Sequence, residues 1–499
     1  MGRKKVGAEN QLSLLDEIER VSYTVEQKDF VEYEGKDSVI LAATAGSGKT
    51  FSCVQRLKYL IKQGVDPNKI IFFSFTNAAV KELIERIEKD GVPVRKQISK
   101  GNGVTITTIH SFCNSLLARM GKYKSIASIW EFLNWYKKKY KPSDRASKTQ
   151  KDDFWERVST MYDEADVISS AIASFKLQTA DKIKCPVPAY MAEYNTFMRE
   201  ERARDFSDML IETFEALKED KYLKMFRKAY DYIFVDEYQD TSAIQLQILL
   251  NLNAKFYYLI GDRNQSIYGY SGANCKRLEE MLIERRNTVE KSLTINFRSD
   301  KLIIENSNKF STLKAEANSS KVGSINRKIM FTIDNLVDTI KSEKEIAVLV
   351  RTNAVIRVLE QHLLRHKVPM KYFNFLNQND YKSFLKNDIN TVTKRKLDSL
   401  KDVYGSHEKI FEFINSNFDS KKQVTTIHKS KGREFDSCVV VNSISPELLK
   451  ENNLYKRLSK KQLERISFIE DDVDEEPKNI HYVAVSRSKH KLYFMIYDV

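Results

Sequence analysis

The chain has 499 residues, 42% of them hydrophobic and 30% charged, globular proportions that exclude a disordered or fibrous chain and allow two or more cores. Its 82 Lys and Arg against 68 Asp and Glu give a formal charge of +14, which favours an acidic partner, nucleic acid first, over the plainer reading of a soluble basic surface. Cys53, Cys113, Cys185, Cys275 and Cys438 are scattered without a close pair, which excludes a disulfide framework or zinc knuckle, and no apolar run is long enough to span a membrane, so an intracellular, cytoplasmic protein is expected.

In chain order, Leu12, Leu14, Leu15, Ile18 and Val21 form an amphipathic pattern that predicts a short helix within residues 1–22. Next comes Tyr23-Thr24-Val25-Glu26-Gln27. A glutamine amide can face adenine N6 and N7 as acceptor and donor at once. Alone, Gln27 reads as a surface helix residue; its place ahead of a phosphate-loop pattern is what raises it. Ser38–Ala43 reads as a buried strand, Thr44-Ala45-Gly46-Ser47-Gly48 as a turn, and Lys49-Thr50 opens a helix with Val54, Leu57, Leu60 and Ile61 on its apolar face and Gly64 as its stop. Strand, glycine turn and helix N-terminus in that order form a phosphate cradle. Lys49 would reach the β- and γ-phosphates of a nucleotide, and the Thr50 hydroxyl would hold Mg²⁺. Ala43 stands where the eight-residue pattern usually begins with glycine, and a chance strand–turn–helix is the competing reading.

A second strand, Ile70–Ser74, runs into Phe75-Thr76-Asn77, after which Val80, Leu83, Ile84 and Ile87 mark a helix. Thr76 and Asn77 stand where helix caps belong; the alternative has them touching a DNA backbone from the tip of a strand. A third strand, Val104–Ile106, leads to Thr107-Thr108-Ile109-His110-Ser111-Phe112. Residues 113–204 then change character. They are helical in pattern, carry Trp130, Trp135 and Trp155, are dense in lysine and show no strand-like alternation. They read as a helical insertion whose lysines form a solvated face or, alternatively, a DNA-facing patch. Strand-like Tyr232–Val235 delivers Asp236-Glu237-Tyr238-Gln239-Asp240. Two carboxylates at a strand's C-terminal end suit Mg²⁺-nucleotide chemistry, Asp236 for the metal and Glu237 for the attacking water. Phe256–Ile260, a further strand, leads to Gly261-Asp262-Arg263-Asn264-Gln265-Ser266-Ile267-Tyr268-Gly269-Tyr270.

With these motifs in this order, the chain resembles the UvrD/PcrA/Rep family of superfamily 1 DNA helicases. Leu293-Thr294-Ile295-Asn296-Phe297-Arg298-Ser299, the strand and helix from Ala347, Val424-Thr425-Thr426-Ile427-His428 through Phe435, and Tyr482-Val483-Ala484-Val485-Ser486-Arg487 are similar to the family's later motifs. The resemblance implies an α/β chain of two RecA-like P-loop lobes with parallel sheets. The first lobe would comprise 1–112 and 205–275 around the insertion 113–204. The second would comprise 276–370 and 423–499 around a reduced insertion at 371–422.

The family's roles map residue by residue. Gln27 and the Phe297 ring would hold adenine, and Ala45, Gly46, Ser47, Gly48, Lys49 and Thr50 the phosphates of ATP. Thr50 and Asp236 would hold Mg²⁺, and Glu434 would contact the ribose. Glu237 would act on water, Gln265 would sense the γ-phosphate, and Arg298 and Arg487 would be arginine fingers. Phe75, Tyr268 and Tyr270 would stack on bases, while Thr76, Asn77, His110, Thr426 and His428 would contact the strand's backbone. The implied activity is ATP-dependent, 3′-to-5′ translocation along single-stranded DNA, with unwinding at single-strand/duplex junctions. The stunted second insertion makes unwinding less direct an expectation than translocation. It also keeps open a second reading, a DNA-binding ATPase switch within a larger complex, for example with a nuclease in phage defence. A bacterial or phage origin and a repair, replication or defence partner go with this resemblance. Tyr270-Ser271 in place of Trp-Arg, and Asn479 and His481 in place of Arg and an apolar residue, depart from the family pattern.

Overall fold

The computed structural model describes residues 22–95, 101–163, 165–180, 186–227, 229–267, 275–376, 378–387, 389, 391–441 and 475–496. The N-terminal helix expected within 1–22, apart from residue 22 itself, lies outside the described residues, as do Cys185, Tyr268 and Tyr270. The chain divides after Leu293 into two compact units, with Thr44–Ser47 grouped with the second.

The first unit is built on β1 (Ser38–Ala43), β2 (Ile70–Phe73), β3 (Val94–Arg95), β4 (Val104–Thr107), a short β5 (Ser125–Ile126) and β6 (Ala203–Arg204), β7 (Tyr232–Asp236), β8 (Phe256–Gly261) and β9 (Thr288–Leu293). Seven of these form one sheet in the order β3-β4-β2-β7-β8-β1-β9, every pair parallel. Coverage on both faces explains why its central strands β1, β2, β7 and β8 are apolar almost throughout. Ile40, Ile71, Phe73, Ile233, Val235 and Leu259 feed one core, while Val39, Leu41, Phe72, Phe234, Tyr258 and Ile260 feed another. Both faces are therefore covered, as parallel sheets require. Rings of Phe72, Phe234 and Tyr258 stack across neighbouring strands at centroid distances of 5.6 and 4.4 Å.

Residues 276–293, expected to open the second lobe, belong instead to the first unit. β9 pairs with β1 from Ser38↔Thr288 to Ala43↔Leu293, and Leu278, Met281 and Leu282 join the first unit's core. The helical insertion is a body with its own core around Phe132, Tyr136, Met161, Ile168, Tyr194 and Phe197. It is not strand-free: β5 pairs with β6, Ser125↔Ala203 and Ile126↔Arg204. Its helix Ala165–Ala180 is fastened to the helix Phe206–Ala216 by Lys176, whose ammonium lies 2.8 Å from both Asp205 and Asp208. Of its lysine run, Lys137 and Lys138 are exposed and Lys139 pairs with Glu200.

The second unit has β10 (Ile295–Asn296) paired with β11 (Glu316–Ala317). Its main sheet joins β12 (Ser324–Met330), β13 (Ile346–Val350), β14 (Lys422–Thr426), β15 (Phe435–Val441) and β16 (Ser488–Ile496) in the parallel order β12-β16-β15-β13-β14. The expected reduced insertion, 371–422, is helical over Gln378–Leu385, Thr391–Asp398, Lys401–Tyr404 and His407–Ser416. It does not stand apart. Leu397, Leu400, Tyr404, Ile410, Phe411 and Ile414 share one core with Val348, Leu359, Leu363 and Val424. The turn entering it is pinned by the buried carboxylate of Glu360, which accepts hydrogen bonds from the N–H groups of Phe373 (3.2 Å), Asn374 (2.8 Å) and Phe375 (2.7 Å) and from Asn374 Nδ2 (2.9 Å).

Candidate nucleotide and nucleic-acid site

Gly46 and Gly48 have φ of +76° and +81°, left-handed geometry open to glycine at no steric cost, and between them the Ser47 N–H turns back to Thr44 O at 3.3 Å. Gly48 caps the helix Lys49–Lys62 with no side chain on its first amides, leaving them to a phosphate. Lys49 Nζ lies 3.9 Å from Glu237 Oε1, with the two side chains 12% and 25% exposed. Asp236, at the end of β7, is pushed up to about 7, by burial first and then by the charge of Glu237, with Lys49 opposing. The half-buried carboxylates of Asp236 and Glu237 are hard oxygen donors of the kind that a nucleotide's Mg²⁺ would neutralise.

Glu237 itself sits at φ +51°, ψ +42°, a left-handed conformation uncommon for a non-glycine residue and of the kind that concentrates at functional sites. Its carboxylate accepts a hydrogen bond from Gln239 Nε2, and Gln239 Oε1 accepts one from the Asp262 N–H at 3.1 Å. Asp262 in turn takes Gln265 Nε2 at 2.9 Å and the Asn264 N–H at 3.0 Å. Gln265 is thus buried beside the end of β8. Sequence reasoning named Glu237 and Gln265 but passed over Gln239 and Asp262 between them, although both stand inside the same two motifs.

Gln27 departs from its expected role in one respect. Its Oε1 closes a capping box by accepting from the Thr24 N–H at 3.1 Å, while its Nε2 faces Gly48. The donor end therefore points toward the loop, and only the carbonyl's second lone pair remains for a base. Its helix, Val25–Val31, is held by Arg56, which donates to Val31 O at 2.8 Å and to Tyr258 Oη at 2.9 Å.

Within the second unit, the loop crest is bound by Asn296 Nδ2, which donates to Ala45 O at 2.6 Å. The Phe297 N–H donates to Gly46 O at 2.9 Å, and the Ala45 N–H donates to Tyr482 Oη at 3.2 Å. Ser47 Oγ donates to Thr44 O at 2.8 Å. The Phe297 ring is 47% exposed, available for stacking. Arg298 and Arg487, expected as fingers, are both engaged inside their own unit. Arg298 Nε pairs with Glu434 at 2.6 Å. Arg487 is buried, donating to Val483 O at 3.0 Å, Arg433 O at 3.2 Å and Ser486 Oγ at 2.9 Å. Glu434, expected at the ribose, also meets Lys489 at 3.1 Å; burial raises its pKa, but the two cations outweigh that and hold it below the usual carboxylate value.

On the candidate DNA side, Phe75 is 45% exposed at the end of β2. Thr76 caps the helix Asn77–Lys89 through the Ala79 N–H at 3.1 Å, the plainer of its two readings, with Asn77 exposed beside it. His110 packs edge-on against Phe206 at 5.2 Å, and burial lowers its pKa, with Asp205 opposing. Thr426 caps a short helix through the Lys429 N–H at 3.2 Å, placing half-buried His428 one turn beyond β14. Phe75, His110 and Asp236 line one cavity of about 70 Å³ across the C-terminal ends of β2, β4 and β7. That is where parallel α/β sheets bind ligands.

The profile of the UvrD/REP helicase N-terminal domain matches residues 23–284, and that of the UvrD-like helicase C-terminal domain matches residues 398–498. A probable DNA helicase II homolog of Mycoplasma capricolum is 28% identical over 372 residues, 67% of this chain and 49% of that protein. The ATP-dependent DNA helicase PcrA of Staphylococcus epidermidis is 26% identical over 463 residues, 83% of this chain and 61% of its own length. PcrA of Staphylococcus aureus is 27% identical over 374 residues, 66% and 48% respectively. The chain spans about half to three-fifths of the length of these curated relatives.

Proposed function

Because this chain belongs to the UvrD/REP helicase family, we propose that it is an ATP-dependent motor that tracks along single-stranded DNA from 3′ to 5′ and opens duplex at junctions, working inside the cell. One observation carries the reading. The nucleotide-side carboxylates Asp236 and Glu237 and the strand-side Phe75, Thr76 and His110 share one sheet edge, with Asp236, Phe75 and His110 lining a common cavity. A change at one set is a short mechanical step from the other.

Lys49 and the loop amides bind the β- and γ-phosphates, and the Gln27 carbonyl accepts from the amino group of adenine. Thr50 and Asp236 would hold the Mg²⁺ that accompanies ATP, and that ion would supply positive charge against the phosphates. Glu237 orients the attacking water and takes its proton. Gln265 reports the γ-phosphate to the loop that continues toward the strand-binding motif. Arg298 and Arg487 act as fingers only after leaving Glu434 and the carbonyls they hold, so their engagement is a gated step. Phe75, with Tyr268 and Tyr270, stacks on bases without regard to sequence, and Thr76, Asn77, Thr426 and His428 touch the strand's backbone.

The test is steady-state ATP hydrolysis with and without a single-stranded oligonucleotide, and then unwinding of duplexes carrying a 3′ or a 5′ tail. Strong stimulation, lost in Lys49→Ala, and opening of the 3′-tailed duplex alone are expected. Hydrolysis indifferent to DNA would reject the motor reading.

A further inference from the structure

Resting on the hydrolytic role given above to Glu237, we propose that Gln239 is a positioning residue. Its amide would fix the Glu237 carboxylate and tie it to the loop that carries Gln265.

Gln239 is completely buried, and both ends of its amide are in use. The Asp262 N–H can only donate, so the atom it meets at 3.1 Å must be the carbonyl Oε1. The Nε2 donor is thereby turned onto Glu237 Oε2. Ser266 Oγ adds a hydrogen bond at 3.2 Å to the Gln239 carbonyl O. The amide is therefore held at its far end by the backbone of the loop 262–266 and faces the carboxylate with its near end. Glu237 needs such a hold. Its left-handed backbone persists only where its surroundings over-determine it.

Gly261 supplies the second, independent observation. A Cβ built at Gly261 would come within 2.0 Å of Gln239 Oε1 and 2.8 Å of Tyr238 Cδ1. The amide occupies the space a side chain on β8 would take, so glycine at 261 is a condition of the bridge. Beyond it, Asp262 receives Gln265 Nε2 at 2.9 Å. Glu237, Gln239, Asp262 and Gln265 thus form one hydrogen-bonded line from the end of β7 to the loop after β8. A shift of that loop reaches the carboxylate through two bonds. The line serves the chemical step and leaves nucleotide binding to Lys49 and the loop amides, so its loss should appear in kcat and not in KM.

The test uses the full chain with a saturating single-stranded oligonucleotide and measures ATP turnover by release of labelled phosphate. Gln239→Met keeps the length and loses both hydrogen bonds. It is expected to lower kcat by about tenfold or more, inside the roughly 10²–10⁴-fold that a general base contributes, with KM for ATP changed by less than about threefold. Placed on Glu237→Gln, the same change is expected to cost nothing further, because the group it positions is gone. Gly261→Ala, which displaces the amide by contact, is expected to reproduce the kcat loss and carries the test if Gln239→Met does not fold. An unchanged kcat, or an equal loss in the Glu237→Gln background, would overturn the proposal while leaving the motor reading intact. No turnover by the unsubstituted chain would overturn both.

Discussion

At the scale of single residues, burial decides the behaviour of His481. It is 3% exposed, its ring lies 5.1 Å from Phe310, and burial holds its pKa down to about 4. The unfolded chain takes up this proton near the ordinary value of about 6.5, whereas the folded chain does not until about 4. Stability linked to neutral His481 is therefore fully present above about 6.5 and is lost as pH falls through that window, by a figure on the order of 3 kcal/mol. Urea denaturation at pH 7 and pH 4 measures it. His481→Leu should flatten the pH dependence, and an unaltered slope would remove the histidine from the account. The position was legible as a departure, an imidazole where relatives of its motif carry an apolar side chain, but its burial was not. Lys49, Asp236 and Glu237 were legible because a phosphate cradle needs fixed residue types at fixed spacing. Gln239 was not, since nothing in a sequence says which side chain's amide is sealed between a carboxylate and a backbone N–H.

At the scale of elements, strands β1, β2, β4, β7 and β8 were readable to within a residue or two at their ends, because a strand covered on both faces is an unbroken apolar run. The stretch 371–422 was read only as a reduced insertion, and its share in the core was not legible. Leu397, Leu400 and Ile410 keep the same spacing whether they face a separate body or the unit's own sheet. What fixes their destination is Glu360, a carboxylate inside an apolar helix face. Replacing it by Leu would leave the N–H groups of Phe373, Asn374 and Phe375 buried without their acceptor. The expected loss is about 3 kcal/mol or more, at 1–3 kcal/mol for each orphaned donor. Thermal or urea unfolding checks it, and unchanged stability would show the turn to be held by packing alone. The lobe boundary at 276 failed for a related reason: β9 carries Glu290, Lys291 and Ser292, too polar to announce a sheet strand, and is recruited by pairing with β1.

At the scale of the molecule, a charge of +14 matters through counterions. If the strand's phosphates meet Lys and Arg, log affinity should fall linearly with log salt, with a slope of about −0.7 per neutralised phosphate on single strands. Fluorescence anisotropy of a labelled oligonucleotide from low to moderate salt measures this. Affinity insensitive to salt would leave base stacking as the sole source of grip. The seven-stranded sheet has a different consequence, which belongs to the time before the protein exists as a finished chain. β1 is flanked by β8 and β9, both contributed by much later sequence. About 250 residues are synthesised between β1 and β9, roughly 10–50 s at 5–20 residues per second. Through that interval the strand that bears the phosphate loop is an open edge on the ribosome, the kind of surface that pairs with other chains. Truncation before Thr288 should leave it so permanently, which makes nascent-chain shielding a condition of producing this protein in quantity.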